Sequence, residues 1–309
     1  MLDEGRFSFL EVKMANKFVI MADACCDLPL KELKEQGIII IPMEISIGKD
    51  LFLSQGNDVP ASIDLYARIK KGEKVGISNI TTSTYLNIMR PYLDEGFDIL
   101  LVTVSSALSS NFSQGFNAIN ILINEYPERT LKILDTMSCN TGIDLVLTQL
   151  AKDKQMGKNV LETFQDGYNF VSSIHTWIAV DDFNKDKHFS LLGRSSDFLR
   201  KSLGMRPVLH IDECGNVIGI RSVKTQRAAT NALFNHVKVS IIQPTKQTIF
   251  ISYDINLKEA EFLKAKLLQD VQVKEVILLQ ASSVTTIQSG LNLLTVSYVG
   301  KKRNLKRPI

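Results

Sequence analysis

The stretch "FDILLVTVSSALSSNFSQGF", residues 97 to 116, joins an apolar run, a serine cluster and a helix start. Its first half is short and rich in Leu, Ile and Val, which predicts a buried strand. Five serines lie between Ser105 and Ser113, and Ser109 or Ser110 is a natural N-cap for the helix that follows. A helix N-terminus presents free N–H groups, so this loop is expected to bind a carboxylate or a phosphate. One serine that caps the helix, with the others in a solvated loop, would give the same pattern.

Short apolar runs recur on both sides of this stretch and alternate with segments of helical periodicity. Runs such as "KFVIMAD", "TLKILD" and "QTIFISYD" lack polar alternation, which is typical of parallel strands covered on both faces. Their order predicts an α/β fold with a mainly parallel sheet in an N-terminal domain. In the helix after the serines, apolar residues step by four, three and four, which predicts one buried stripe made of Phe112, Phe116, Ile119 and Ile123.

The second half of the chain carries a signal for antiparallel pairing. In "RPVLHIDECGNVIGIRS", residues 206 to 222, the turn residues 213–216 separate two apolar runs and predict a hairpin. We therefore expect a mixed α/β C-terminal domain. A long polar helical connection places the domain change near Ser172, which gives an N-terminal domain of residues 14–172 and a C-terminal domain of residues 173–309. Residues 1–13 are expected to form a poorly ordered extension.

Composition excludes several classes of protein. The 309 residues are 45% hydrophobic and 22% charged, and a net charge of +3 gives no case for nucleic-acid binding. The four cysteines show no C-x-x-C spacing, so we expect a reducing cytoplasmic location and no metal site. No apolar run approaches the ~20 residues of a membrane span. The basic C-terminal run "KKRNLKRPI" is expected to be a solvated, frayed tail.

Two other polar stretches follow predicted strands. In "ADACCDLP", residues 22 to 29, Asp27 is placed to cap the next helix, and Asp23 ends the first strand beside the serine loop. The second, "GISNITTSTYL", residues 76 to 86, reads as a loop and helix cap. No glycine-rich phosphate loop, dinucleotide fingerprint or G-x-S-x-G elbow is present in the sequence. The four histidines are expected to be packing or surface residues.

Taken together with "DTMSCNTG" (residues 135–142) and "LGMRPVL" (203–209), these motifs resemble the DegV family in order and spacing. The resemblance covers about residues 16 to 300. It implies a two-domain α/β protein that binds one long-chain fatty acid, with the acyl chain in a tunnel covered by the C-terminal domain. It also implies no catalytic residues and no cofactor. Some members of the family present the bound carboxyl group to a partner fatty acid kinase.

Carried over by position, the resemblance places the carboxyl group at one set of polar side chains: Ser78, Asn79, Ser106, Ser109, Ser110, Asn111 and Gln288. The sequence departs from the family pattern at some of these places. Ile77 stands where the family has threonine, and Ser110 and Asn111 replace its glycine and threonine. Gln288 replaces a histidine that can be cationic, so neutral hydrogen bonds are expected to hold the carboxyl end.

Two other functions fit the same sequence features. The serine loop would equally serve an α/β enzyme that acts on a small carboxylated or phosphorylated metabolite. A protein whose role is only association with other proteins is the third alternative.

Overall fold

A computed structural model describes residues 17–56, 62–180 and 204–306. The predicted extension, residues 1–13, lies outside the described residues. The strands are β1 (Phe18–Asp23), β2 (Ile38–Ile41), β3 (Met43–Ile47), β4 (Asp50–Ser54), β5 (Val75–Ile77), β6 (Asp98–Thr103), β7 (Leu131–Asp135), β8 (Ile174–Ala179), β9 (Arg206–Ile211), β10 (Val217–Val223), β11 (Thr248–Tyr253), β12 (Glu275–Gln280) and β13 (Leu294–Val299). The α-helices are α1 (Leu30–Glu35), α2 (Ser62–Lys70), α3 (Thr82–Asp94), α4 (Asn111–Glu125), α5 (Thr141–Gln155), α6 (Val160–Val171), α7 (Gln226–Ser240), α8 (Leu257–Lys266) and α9 (Ser283–Ser289).

A parallel sheet forms the centre of the first half, in the order β2-β1-β6-β7. Every residue of β1 is buried, which explains why its sequence shows no polar alternation. The register pairs Thr103 at the end of β6 with Asp135 at the end of β7, and Asp23 ends the neighbouring β1. The predicted parallel α/β arrangement is confirmed, and the carboxyl ends of three strands meet at one edge of the sheet.

A second, smaller sheet was not predicted. Strand β3 pairs antiparallel with both β4 and β5. Its importance for the site lies in β5, since this strand ends at Ile77 and leads into the polar segment before α3.

The second half contains a mixed sheet in the order β10-β9-β8-β13-β11-β12. Only the β11–β12 pair is parallel, and the other neighbours are antiparallel. The predicted hairpin is confirmed as β9 and β10, and its turn contains Gly215 with φ +78°. Positive φ at this position suits glycine because it has no Cβ. The mixed sheet thus matches the fold class expected for the C-terminal domain, while the boundary at Ser172 stays a prediction.

The predicted apolar stripe on α4 was wrong. Ile119 is buried, but Phe116 and Ile123 are 47% and 45% exposed. The helix instead approaches the sheet over Gly115, where an added Cβ would lie 2.6 Å from a methyl carbon of Leu101. Because the chain comes this close only where no side chain intervenes, the buried face turns toward Gly115 and away from the two exposed residues.

The described part of the basic C-terminal run, residues 301–306, is also not the frayed tail that was predicted. Arg303 is partly buried, and its guanidinium donates hydrogen bonds to the backbone carbonyls of Ile211, Asp212, Met137 and Val171. Two of these carbonyls belong to each half of the chain. The tail therefore connects the halves through one side chain.

Candidate functional site

The serine loop is held from below by a buried carboxyl group. One oxygen of Asp23 accepts hydrogen bonds from the Val104 N–H (2.9 Å) and the Asn111 side-chain amide (3.1 Å). Asp23 thus contacts the serine loop, as its place at the end of β1 predicts. Burial raises the pKa of this carboxyl above its usual value, and the two N–H donors oppose the increase. Asp23 consequently serves to fix the loop, whose ends it joins.

Two further contacts hold the other side of the loop. Asp135 accepts hydrogen bonds from the Ser106 N–H (3.2 Å) and the Met137 N–H (2.9 Å). The buried Ser105 hydroxyl donates to the carbonyl of Gly215 (2.8 Å), in the hairpin turn of the second half. The loop therefore lies at the junction of the two halves and makes hydrogen bonds to both.

The start of α4 keeps free hydrogen-bonding capacity. Ser110 occupies the N-cap position, but its side chain makes no capping hydrogen bond. The Ser109 hydroxyl accepts from the Asn111 N–H (3.2 Å) and donates to the Asn79 side chain (3.3 Å). The amides of the first turn beyond Asn111 thus lack a side-chain cap, which is the condition for a ligand oxygen to accept from them.

A cleft of about 500 Å³ opens at this helix start. Its lining brings together most of the predicted polar residues and adds one more serine and several apolar side chains: Ile77, Asn79, Ser106, Ala107, Leu108, Ser109, Ser110, Phe112, Ser113 and Gln288. Ser113 was not among the candidates, although it lies in the first turn of α4, shortly after Ser109 and Ser110. Apolar residues between serines, such as Leu108 and Phe112, were the signal that the cleft has both polar and apolar walls.

Two predicted ligand residues lie elsewhere. The Ser78 hydroxyl is 3.4 Å from a carboxylate oxygen of Glu44, on the small antiparallel sheet. Asn111 is fully buried, and its side-chain oxygen accepts from the Ile80 N–H (3.3 Å) while its amide donates to Asp23. Asn111 therefore holds the loops that form the cleft, because both ends of its side chain are already bonded.

Gln288 reaches the cleft from the second half of the chain. It lies on α9, is 5% exposed, and places its amide nitrogen 3.9 Å from the Cys25 sulfur. Burial raises the pKa of the Cys25 thiol well above its usual value, so this cysteine is a neutral neighbour. The helix that carries Gln288 thus closes the cleft on one side, and the loop that carries Cys25 contacts this glutamine.

The predicted role of Asp27 as a cap of α1 was wrong. Pro29 occupies the N-cap position of α1 and makes no side-chain capping bond. The Asp27 carboxyl is turned away from that helix and accepts a hydrogen bond from the Ser282 N–H (2.8 Å), at the start of α9. The Asp27 carboxyl thus bonds to a backbone amide 255 residues later in the chain and not to the nearby N-terminus of α1.

The cleft can hold a polar head with an apolar body beside it. Every described residue that lines it is uncharged at neutral pH, so hydroxyls, side-chain amides and backbone N–H groups supply the polar contacts. In the described ranges, no three His, Cys, Asp or Glu side chains converge to hold a metal ion. The helices of the same ranges are all too short or too polar to cross a bilayer.

Comparison with known proteins gives one consistent result. The chain matches the DegV family over residues 17–301. A DegV domain-containing protein of Clostridium perfringens is 23% identical over 284 residues, which is 92% of this chain and 98% of that protein. The structure is similar to a DegV family protein from Thermus thermophilus described as fatty-acid binding, with a TM-score of 0.79, 15% identity, and 92% and 99% of the two chains covered. It is also similar to the Fatty Acid Kinase B3 protein of Streptococcus pneumoniae loaded with linoleic acid, with a TM-score of 0.76, 17% identity, and 92% and 100% covered. Since the match extends over nearly the whole chain, this protein belongs to the DegV family.

Proposed function

We propose that this protein is a non-catalytic carrier that holds one long-chain fatty acid with its carboxyl group in the serine-loop cleft. The observation that carries the proposal is the cleft itself, where uncapped helix amides and serine hydroxyls lie beside apolar walls. The fatty-acid-binding protein of Thermus thermophilus and the linoleic-acid-loaded protein of Streptococcus pneumoniae support the choice of ligand.

The acyl chain supplies most of the binding free energy in this proposal. Burial of a CH₂ group contributes about 0.8 kcal/mol, so a 16-carbon chain offers on the order of 10 kcal/mol before ordering costs. Each neutral hydrogen bond to the head group contributes about 1 kcal/mol. We place the chain in a tunnel that leads inward from the cleft and is covered by the C-terminal domain. The polar residues then orient the ligand more than they bind it.

Five polar residues are proposed to hold the head group: Asn79, Ser106, Ser109, Ser110 and Gln288. Ser110 and Ser113 are exposed at the mouth of the cleft, so the carboxyl group would be reachable from solvent. The Streptococcus pneumoniae protein bears the name of a fatty acid kinase component, and we extend the proposal to presentation of the carboxyl group to such a kinase. Incubation with fatty acid kinase and ATP, followed by trapping with hydroxylamine, should give the acyl hydroxamate only if the handover occurs.

The test of binding is mass spectrometry of the purified protein. Native spectra should show one added mass of a fatty acid, and the organic extract should contain that acid. The variant Ser109→Ala/Ser110→Ala should bind palmitate roughly thirty-fold more weakly, since it loses two hydroxyls that contribute about 1 kcal/mol each. Ser172→Ala is the matched control because the Ser172 hydroxyl is exposed and bonds only to the Asn169 carbonyl, outside the cleft.

Two results would contradict the carrier function. A protein that contains no lipid and does not bind palmitate, oleate or stearate when these are added is not a carrier of this class. Retention of a small phosphorylated or carboxylated metabolite in place of a lipid would favour the enzyme alternative.

A further inference from the structure

Helix α9 belongs to the second half of the chain, but both of its ends are bonded to residues of the first half. All seven of its residues are buried. At its start, the Ser282 N–H donates to the Asp27 carboxyl (2.8 Å), and at its end, the Asn140 side-chain amide donates to the Ser289 hydroxyl (3.2 Å). Asp27 and Asn140 follow β1 and β7, two strands of the parallel sheet that also support the serine loop. The helix is thus held at both ends by the half that forms the rest of the cleft.

The bond from Asp27 is not needed to form the helix. The Ser282 hydroxyl already caps α9 by accepting from the Thr285 N–H (3.1 Å). The Ser282 N–H itself lies before the first turn and has no partner within a helix. Its bond to Asp27 therefore fixes where the helix lies and leaves its internal hydrogen bonds unchanged.

The position of Asp27 is itself closely fixed. One oxygen of the buried Asp144, on α5, accepts from the N–H groups of both Asp27 (2.9 Å) and Leu28 (3.1 Å). Two carboxyl groups in this interior are costly, because burial penalises charge and each repels the other. A contact that is costly for the fold and unnecessary for either adjacent helix is better explained by what it positions.

We propose that Asp27 is a positioning residue for the ligand head group and that it acts through Gln288. The inference rests on the proposed function, since Gln288 lines the cleft less than two turns after the Asp27–Ser282 bond. Gln288 is one residue from Ser289, where the second anchor lies. A shift of α9 away from Asp27 would move the Gln288 amide away from the serine loop.

A double-mutant cycle tests whether the two residues act as one unit. Leucine in Asp27→Leu keeps the branching and the number of heavy atoms of the original side chain, removes the acceptor and carries no charge. It should weaken palmitate binding five- to ten-fold, as Gln288→Ala should. The double variant should be no weaker than either single variant. Asp27→Asn keeps an acceptor oxygen and should bind within two-fold of the natural protein. Multiplication of the two single effects in the double variant would overturn the inference.

Amide hydrogen exchange provides a readout that needs no ligand. Asp27→Leu should raise exchange at residues 284–289 at least ten-fold, and Asp27→Asn should not. Thr225→Ala is the matched control, because Thr225 caps α7 through the Ala228 N–H, far along the chain from α9. If Asp27→Leu does not fold, Asp27→Ala takes its place in both experiments.

The two proposals fail in different ways. If the natural protein binds no lipid, the carrier function is wrong and the exchange experiment still decides the role of Asp27. If lipid binds but exchange in α9 is unchanged in Asp27→Leu, the positioning role is wrong and the carrier function stands.

Discussion

Replacement of Arg303 by alanine should destabilise the protein substantially, because one guanidinium joins carbonyl groups from both halves. Its Nη1 donates to Asp212 (3.0 Å) and Ile211 (3.5 Å), and its Nη2 donates to Val171 (3.2 Å) and Met137 (3.3 Å). No other type of side chain presents donors in such a planar fork. The substitution removes all four bonds together and leaves the carbonyls without this partner.

The magnitude follows from the distances and the partial exposure. A hydrogen bond with a charged partner contributes about 1.5–3 kcal/mol in favourable geometry, but the bonds at 3.3 and 3.5 Å are long. The carbonyls also regain some hydration, since Arg303 is only partly buried. We therefore expect a loss of about 3 kcal/mol in the free energy of unfolding. Arg303→Lys should lose about 2 kcal/mol, because a single ammonium cannot reach both pairs of carbonyls.

Urea denaturation measures this loss directly. Trp177 is the only tryptophan in the sequence and lies in β8, so its fluorescence reports on the six-stranded sheet. Far-UV circular dichroism should give the same transition if unfolding is two-state. Lys302→Ala, at an exposed neighbouring position, is the control and should change stability by less than about 0.5 kcal/mol. Equal midpoints for Arg303→Ala and Lys302→Ala would refute the proposed connection between the halves.

Three other changes should alter the pH dependence of stability or binding. Burial lowers the pKa of His210 to about 3, so stability that is present above pH 6.5 is lost as pH falls toward 3. His210→Gln should recover about 2 kcal/mol of the free energy of unfolding at pH 5, and an unchanged dependence of this free energy on acid pH in chemical denaturation would contradict the prediction. Burial and the charge of Asp27 raise the pKa of Asp144, so the free energy of unfolding falls as pH rises and this carboxyl must ionise in the folded protein. Asp144→Asn keeps the acceptor oxygen and should gain stability relative to the natural protein between pH 5 and 8; a difference in unfolding free energy that stays constant over this range would be evidence against it. Gln288→His should tighten fatty-acid binding at pH 5.5 but not at pH 8, because only the protonated ring makes a charge-assisted bond; equal affinities in a fluorescent-ligand titration would mean that residue 288 does not face the ligand.

The parallel sheet could be predicted because burial on both faces leaves a direct mark on sequence. Strands β1, β2 and β6 are apolar between their ends, and polar residues follow β6 and β7. The buried face of α4 could not be predicted in the same way. Its orientation depends on the close approach of Gly115 to Leu101, and that contact exists only after strand and helix have packed.

The site shows the same division between local and long-range causes. Ser106, Ser109 and Ser110 follow one strand in one loop, so their common position is readable from spacing. Asn111 is adjacent to them, yet its side chain points toward Asp23 because the helix has already turned by one residue. The role of Asp27 was missed for a different reason. Its partner, Ser282, lies 255 residues away in the sequence, and no local sequence pattern predicts a contact between residues so far apart.

The position of helix α9 affects the order in which parts of the protein can fold during translation. The ribosome releases the chain from its N-terminus, and N-terminal segments generally fold first. The strands of the parallel sheet all precede residue 136, so this sheet can assemble while the second half is still being translated. Asp27 and Asn140 then bond to water until helix α9, which follows both of them in the chain by more than a hundred residues, has been synthesised. Completion of the cleft thus requires synthesis of the chain through Ser289, and a nascent chain cannot capture a ligand with Gln288 before helix α9 has been made.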